Sequence, residues 1–344
     1  MTGQVAEAVL HDVPDDPVAV WEYFYERGWC DGLPIIPPTP ERVSAMLEGV
    51  ARDPKQVVAR ISPSDNSVTV EKIAVNAVMA GCVPGSVPVL IAAVTGICDP
   101  AFRLLSVGTT PATPLMILNG PIRHQLGVNC SYCCLGGITR VNATLGRALR
   151  LVCLNIGNGG ARNILDQATH GLPTRISFCM GENEEASPWA PFHTQHGFRL
   201  EDSTVTVVNA SVPLDIVDQE MRTSESMLKT YSGSICYQGS NNMETGRGKP
   251  FLVIGPEGAS VFARDGMSRE DIQNALWTAA SLPVSQFPPE LHEKWKKIGR
   301  PIFDGRVRLT RAAQDLKVLV AGGLGPHSLF LTTLGEYQIN AVEA

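Results

Sequence analysis

The stretch Pro114-Leu-Met-Ile-Leu-Asn-Gly-Pro121 is a short apolar run that ends in an Asn-Gly-Pro turn. Apolar residues enclosed by proline and glycine predict a buried strand over residues 114–118. A second stretch, Pro250-Phe-Leu-Val-Ile-Gly-Pro256, has the same plan of proline, apolar strand and Gly-Pro turn. A helical pattern follows each of them. An ancient duplication into two similar halves and a chance likeness of two common strand–turn units both stay open.

Helical and strand patterns alternate on either side of these two stretches, which predicts an α/β fold. We expect a layered mixed sheet with helices on both faces. The chain divides into an N-terminal helical segment (residues 1–56), a first α/β half (57–175) and a second α/β half (176–344). Predicted helices are 18–28, 41–47, 70–80, 88–97, 141–155, 219–230, 259–264, 268–280 and 288–297, and predicted strands are 57–61, 114–118, 176–180, 203–209, 250–254 and 316–321.

The composition excludes several classes of protein. The 344 residues carry a net charge of -6, whereas a nucleic-acid-binding protein needs a basic face. The N-terminal residues have neither the basic region nor the apolar core of a signal peptide, and no apolar run of 18 residues predicts a membrane span. We therefore expect a cytoplasmic protein. In that compartment its nine cysteines would stay reduced rather than form a disulfide framework.

Three cysteines lie within five residues in the cysteine loop, Asn129-Cys-Ser-Tyr-Cys-Cys-Leu-Gly136. Cys130, Cys133 and Cys134 could simply be small buried hydrophobic residues. They could instead bind a transition metal ion (Fe, Co, Cu or Zn), because Cys-x-x-Cys is a common two-ligand spacing. The claw of nitrile hydratases is similar, although the second serine of its Cys-x-x-Cys-Ser-Cys pattern is missing here. A third alternative is thiol redox or nucleophilic chemistry, since a following helix N-terminus favours the thiolate.

Two further loops carry residues suited to catalysis or binding. In Glu182-Asn-Glu-Glu-Ala-Ser-Pro-Trp189, the carboxylates of Glu182 and Glu185 with nearby His193 suit acid–base chemistry, although a solvated acidic loop is an equal alternative. Carboxyl ends of strands are the usual position for such residues in α/β proteins.

The second of these loops is the glycine turn, Gly322-Gly-Leu-Gly-Pro-His-Ser328. Its backbone amides could bind an anionic group, or it could be an ordinary tight turn. The binding residues would then be Gly322, Gly323, Gly325 and Ser328, with His327 as a catalytic base or ligand. The turn lacks the dinucleotide fingerprint and the Walker lysine, so we predict no nucleotide cofactor.

Three stretches resemble a family of bacterial proteins, and the resemblance covers most of the chain. They are Arg27-Gly-Trp-Cys-Asp-Gly-Leu-Pro-Ile-Ile-Pro-Pro-Thr39, Val70-Glu-Lys-Ile-Ala-Val-Asn-Ala-Val-Met-Ala-Gly-Cys82 and Glu182-Asn-Glu-Glu-Ala-Ser-Pro-Trp189. Some members of the family are fused to, or encoded beside, a small thiol or selenol protein with a (seleno)cysteine-Gly-Ser-Cys motif. The resemblance implies an enzyme of metabolism that works near thiol chemistry, with such a protein as a partner.

This chain departs from that family at two places. Its relatives have a Gly/Asn-rich turn without thiols where Cys130–Cys134 stand, and often a histidine at the position of Gly258. Both differences indicate a specialised branch, so that the function of the family need not transfer.

Together these patterns predict one site in which the cysteine loop, the Glu182–Trp189 loop and the glycine turn come together. The leading hypothesis is a metal-dependent, hydratase- or lyase-like enzyme whose Cys-bound metal acts as a Lewis acid on a small polar or carboxylated substrate. The alternatives are a metal-free thiol oxidoreductase and a non-catalytic metal- or substrate-binding subunit. We also expect a homo-oligomer that binds neither nucleic acid nor membranes.

Overall fold

A computed structural model describes residues 9–136, 138–157, 164–220 and 222–343. Its helices are α1 Pro17–Glu26, α2 Pro40–Leu47, α3 Val70–Ala80, α4 Ser86–Cys98, α5 Leu105–Thr109, α6 Ile122–Leu126, α7 Arg140–Val152, α8 Ser224–Ile235, α9 Asn241–Thr245, α10 Pro256–Arg264, α11 Arg269–Ala279 and α12 Pro289–Ile298. Its strands are β1 Val57–Ile61, β2 Asn66–Thr69, β3 Thr113–Asn119, β4 Cys179–Gly181, β5 Thr204–Ala210, β6 Leu214–Val217, β7 Phe251–Ile254, β8 Ser281–Pro283, β9 Arg306–Arg308, β10 Lys317–Val320, β11 His327–Leu331 and β12 Gln338–Ala341.

Side-chain caps explain where several helices begin. Thr39 and Thr69 each accept a hydrogen bond from a backbone N–H in the first turn of the helix that follows, α2 and α3 respectively. Ser268 and Asp271 form a reciprocal capping box at the start of α11. These hydroxyl and carboxylate oxygens satisfy amide groups that have no partner inside the helix. Helix α3 ends at Ala80, and the φ of 86° at Gly81 suits the residue after a helix.

Two four-stranded sheets share one arrangement of strands. The first has the order β4-β3-β5-β12 and the second the order β10-β7-β11-β6. In the first sheet β3 is parallel to β4 and antiparallel to β5, and β12 is antiparallel to β5. In the second sheet β7 is parallel to β10 and antiparallel to β11, and β6 is antiparallel to β11. The repeated stretches of the sequence therefore supply the equivalent strands β3 and β7.

The two sheets exchange their outer strands. Strand β6 follows β5 along the chain but pairs with β11 of the second sheet. Strand β12 follows β11 but pairs with β5 of the first sheet. Each sheet thus receives its fourth strand directly after a strand of the other sheet, which ties the two sheets together. The duplication itself stays a prediction.

The sheets pack face to face, and helices cover their outer faces. All seven residues of β3 are buried because its two faces enter different cores. Leu115 and Ile117 lie in a middle core with Phe251 and Val253 of the second sheet. Met116 and Leu118 lie in an outer core with residues of α3, α4 and α7. A third core joins the other face of the second sheet to α8, α10, α11 and α12.

The predicted α/β fold is confirmed, with one refinement of its layers. The described residues form two mixed sheets, each with helices on its outer face, and two antiparallel strand pairs, β1–β2 and β8–β9. The first sheet takes strands from both predicted halves, since β4, β5 and β12 lie after residue 175. Helix α2 of the predicted N-terminal segment contributes Val43 and Met46 to the first outer core.

Among the described residues, no single helix is long and apolar enough to cross a membrane. The pair Ser86–Cys98 and Pro100–Thr109, bent by 70° where they meet, does satisfy that test when taken together.

Candidate functional site

Three loops meet at the carboxyl ends of β4 and β10, the strands that pair in parallel with β3 and β7 respectively. Asn183 N donates to Val320 O (2.8 Å), and its side-chain Nδ2 donates to Gly322 O (3.1 Å). Gly322 N in turn donates to Cys130 O (2.9 Å). The cysteine loop, the Glu182–Trp189 loop and the glycine turn are therefore in contact, as the sequence analysis expected, while the roles assigned to their residues stay predictions.

Two glycines let the cysteine loop approach both sheets closely. A Cβ atom at Gly181, the last residue of β4, would overlap the Cys130 sulfur. A Cβ atom at Gly323 would overlap the ring of Tyr132. Because glycine has no side chain, backbone and ring atoms can lie within van der Waals distance of its Cα. The position of the Cys130 thiol thus depends on Gly181.

Arg123 is the buried cation of the site. It lies on the short helix α6, which begins after a turn at Gly120 with a φ of 77°. Only 3% of the Arg123 side chain is exposed. Its guanidinium forms a two-pronged ion pair with Glu185 (2.9 and 3.0 Å), and Nη2 also lies 2.7 Å from Glu184 Oε2. Nη1 donates to Cys130 Sγ at 3.7 Å, which links the carboxylates to the cysteine loop.

The opposite charges of Arg123 and its glutamates favour the charged form of each side chain, so the pKa of Arg123 rises and the pKa of Glu185 falls. Burial alone would lower the pKa of Arg123, but Glu185 and Glu184 raise it above its ordinary value. Hydrogen bonds from Arg123 lower the pKa of Glu185 to about 2. His124 Nε2 lies 2.9 Å from Glu185 Oε1 on the exposed side. Arg123 is therefore a permanent cation, and Glu185 an ionised carboxylate, at neutral pH.

Glu182 lies deeper and connects the two halves of the chain. Its side chain is fully buried, and Oε1 accepts a hydrogen bond from Arg269 of α11 (2.7 Å). Oε2 accepts from Asn119 Nδ2 (2.5 Å) and from Phe192 N (2.7 Å). Burial raises the pKa of Glu182, and Arg269 opposes that shift. With these partners the carboxylate holds the ends of β3 and β4 against α11.

The three cysteines differ in exposure. Cys133 is exposed, Cys130 is half-buried and Cys134 is buried. Burial raises the pKa of Cys130, whereas the guanidinium of Arg123 lowers it. Burial also raises the pKa of Cys134 to about 11. Cys133 has a left-handed backbone with a φ of 56°, which directs the chain around a tight turn.

The predicted metal ligands do not form a ligand group in this structure. In the part of the chain that the structure describes, no three His, Cys, Asp or Glu side chains come close enough together to hold a metal ion. A bound ion would need Cys130, Cys133 and Cys134 to converge on one point. The transition-metal centre therefore stays a prediction.

His193, His327 and Ser328 lie in three different surroundings. His193 is fully buried, and its Nε2 lies 2.9 Å from Arg199 O. His327 is the exposed first residue of β11, with Nδ1 at 3.0 Å from Asp215 Oδ1 of β6. The Ser328 hydroxyl is buried against that of Tyr231 (2.8 Å). Among the described residues, no hydrogen bond joins any of these side chains to the cysteine loop.

The glycine turn contacts the cysteine loop through its backbone. Gly322 and Gly325 have positive φ values of 94° and 141°, which favour glycine. The N–H of Gly322 is already used by Cys130 O. The predicted binding of an anion by Gly322, Gly323, Gly325 and Ser328 stays a prediction. What the structure shows is a support for the cysteine loop.

The sequence-based candidates did not include five side chains or glycines of the site: Asn119, Arg123, His124, Gly181 and Arg269. Arg123 had a weak signal, since it follows the Asn-Gly-Pro turn of a buried strand. No sequence pattern indicated Arg269, because 87 residues of chain separate it from Glu182. Such a pair becomes visible only when the helix that carries Arg269 is packed on the sheet.

No protein-family model matches this chain, and no curated protein shows significant similarity to it. The resemblance to the family associated with thiol and selenol proteins therefore stays a prediction.

Proposed function

We propose that the cysteine loop carries out thiol–disulfide exchange on a small disulfide-bearing molecule, with Cys133 as the attacking thiol and Cys130 as the resolving thiol. The observation that carries this proposal is the graded exposure of thiols within one turn. Cys133 is exposed, whereas Cys130 is half-buried against a guanidinium. An attacking thiol must reach its substrate, and a resolving thiol acts best when a nearby cation stabilises its thiolate.

In the first step, the Cys133 thiolate attacks one sulfur of a substrate disulfide R–S–S–R′. A bond forms between Cys133 and R–S, the substrate S–S bond breaks, and R′–S⁻ leaves with the electron pair and takes a proton from water. In the second step, the Cys130 thiolate attacks the Cys133 sulfur. R–S⁻ leaves, and the loop keeps a Cys130–Cys133 disulfide. The substrate gains two electrons and two protons, and an external dithiol reductant restores the loop.

Arg123 supports the resolving thiol. Its Nη1 lies 3.7 Å from Cys130 Sγ and opposes the rise in the pKa of Cys130 that burial causes. Glu184 and Glu185 hold the guanidinium in place from the other side. Cys134 is less suited to this role, because burial raises its pKa to about 11 and leaves little thiolate at neutral pH.

A stopped-flow assay with a coloured aromatic disulfide tests the assignment, since each leaving thiolate absorbs light. The wild-type chain should release two equivalents of aromatic thiolate at the loop, one in each step. Cys130→Ser should release one equivalent there and retain a stable mixed disulfide on Cys133, which mass spectrometry of peptides would locate. Cys133→Ser should release neither equivalent of aromatic thiolate at the loop. Cys236→Ser, which removes a half-buried thiol packed on the third core, is the matched control and should leave the loop's release unchanged.

Two results would overturn the proposal. In the first, Cys133 reacts no faster than Cys236, so that its exposure gives it no function. In the second, the purified protein contains one equivalent of iron, cobalt, copper or zinc that Cys133→Ser loses, which would favour the metal-dependent hypothesis. Elemental analysis of the wild-type and variant chains decides between the two chemistries.

A further inference from the structure

A charged cavity lies at the opposite end of the second sheet from the cysteine loop. Its volume is about 430 Å³, and its lining includes Lys249, just before β7, and Asp315, just before β10. The cysteine loop instead contacts Gly322, beyond the carboxyl end of β10. Because β7 and β10 run parallel, their two ends lie on opposite sides of the sheet. The cavity is therefore separate from the thiol site.

The lining of this cavity has an excess of positive charge. The charged residues that line it are Arg103, Arg247, Lys249, Arg311, Asp315 and Glu336. Both acidic side chains are already engaged: Glu336 pairs with Lys249 (2.8 Å), and Asp315 accepts a hydrogen bond from Ala312 N (3.1 Å). None of the three arginines forms an ion pair with any residue that the structure describes. This local excess occurs in a chain whose net charge is -6.

A buried arginine lies directly behind the cavity wall. Arg300 is only 6% exposed, and a Cβ atom at Gly246, a lining residue, would overlap its guanidinium. Its Nη2 donates to Arg308 O (2.9 Å), while its buried Nε has no hydrogen-bond partner among the described residues. Burial and the neighbouring Arg311 lower the pKa of Arg300 to about 10. A buried cation without a counter-ion is costly, and an anion in the cavity would reduce that cost.

We infer that this cavity binds a small phosphorylated molecule, with its phosphate oxygens held by Arg103, Arg247 and Arg311. Planar guanidinium groups donate paired hydrogen bonds to phosphate, and a phosphate at neutral pH carries more charge than a single carboxylate. The volume lies within the range of about 300–1,000 Å³ that is usual for small-molecule sites. Gly246 and Gly248 add no side chains to the wall, so the phosphate can lie close to the backbone.

Calorimetric titration of the full chain with pyrophosphate tests this inference. We expect saturable binding with one site per chain. Arg247→Gln and Arg311→Gln should each weaken it by about tenfold or more, since each removes a charge-assisted hydrogen bond. Arg222→Gln removes a cation that is 80% exposed and paired with Glu220, so it should bind as the wild type does. Circular dichroism and the melting temperature show whether each variant is folded.

Arg103→Gln is the variant that keeps the test decisive if Arg311→Gln does not fold, because Arg103 is exposed and forms no ion pair with the described residues. It should also weaken pyrophosphate binding. Equal binding by the wild type and by the folded cavity variants would overturn the assignment of the site. Tighter binding of citrate than of pyrophosphate would overturn the assignment of the ligand to phosphates. Absence of saturable binding of pyrophosphate would overturn both.

Discussion

The carboxyl ends of the two parallel strand pairs occupy equivalent positions but carry different chemistry. In the first sheet, Glu182 N donates to Leu118 O at 3.1 Å, and in the second, Ala321 N donates to Ile254 O at 3.2 Å. The backbone frame is thus the same. At this position the first sheet has the buried carboxylate of Glu182, whereas the second sheet has the methyl group of Ala321. Further charged residues follow Glu182 in the first sheet, whereas glycines follow Ala321 in the second.

This difference shows how a repeated frame can produce a single site. The charged end of the first sheet takes Arg269 from helix α11, which packs on the second sheet, to neutralise Glu182. The glycine end of the second sheet provides the space in which the cysteine loop of the first half lies. Each end therefore contacts residues supplied by the other. Substitutions at the two ends should change the stability of the fold by different amounts.

The largest effect should come from removing the buried charge. Glu182→Gln leaves Arg269 buried without its carboxylate, so we expect the free energy of unfolding to fall by about 3–5 kcal/mol. Urea denaturation measures it. Glu293→Gln, which breaks an exposed pair with Lys296, is the control and should leave the free energy of unfolding unchanged within the error of the measurement. A loss below about 1 kcal/mol in Glu182→Gln would contradict a structural role for this pair.

The next largest effect should follow a change at the contact between β4 and the thiol. Gly181→Ala places a methyl group on the Cys130 sulfur, and we expect it to destabilise the fold by about 1–3 kcal/mol. Thermal denaturation gives the difference. Cys130→Ala removes the clashing sulfur, so the double variant should recover most of the loss. Gly233→Ala, in helix α8 with open space around it, should be neutral or stabilising. If the double variant recovers nothing, the clash lies elsewhere.

A smaller effect should depend on pH. The pKa of Glu185 is about 2 when folded and 4.5 ordinarily, so this carboxylate adds stability above pH 4.5 and loses it as the pH falls toward 2. Since the side chain is 58% exposed, we expect about 1 kcal/mol at most. The difference in unfolding free energy between the wild type and Glu185→Gln should shrink by about half from pH 7 to pH 3. A difference that grows as the pH falls would contradict the pairing with Arg123.

The smallest effect on stability should occur at the glycine turn. Gly323→Ala displaces the ring of Tyr132, which is 60% exposed and free to turn toward solvent, so we expect less than about 0.5 kcal/mol. The cysteine loop should open more often, and alkylation of Cys130 should become severalfold faster. Leu324→Ala, on the same turn but 66% exposed, should leave the alkylation rate unchanged. An unchanged rate in Gly323→Ala would show that the turn does not support the loop.

Much of the local structure follows from the sequence pattern. The predicted strand 57–61 and helix 70–80 agree with β1 and α3 at both ends, because their apolar spacing and the glycine after the helix act over short distances. The predicted strand 114–118 is one residue too short at each end. The edge strands β6 and β12 were missed, since they are short and carry few fully buried residues. The strands β2, β8, β9 and β11 were missed as well, and β11 is a central strand of the second sheet.

The candidate site was predicted in outline but not in its contacts. Glycines, thiols and carboxylates near the ends of apolar strands indicated which loops to consider, because parallel strands bring such ends to one edge. The ion pair of Glu182 with Arg269 and the bond from Gly322 to Cys130 join residues far apart in the chain. They depend on how the two sheets pack and exchange their outer strands. Local patterns reach only a few residues along the chain, so the buried charges acquire partners only through the tertiary fold.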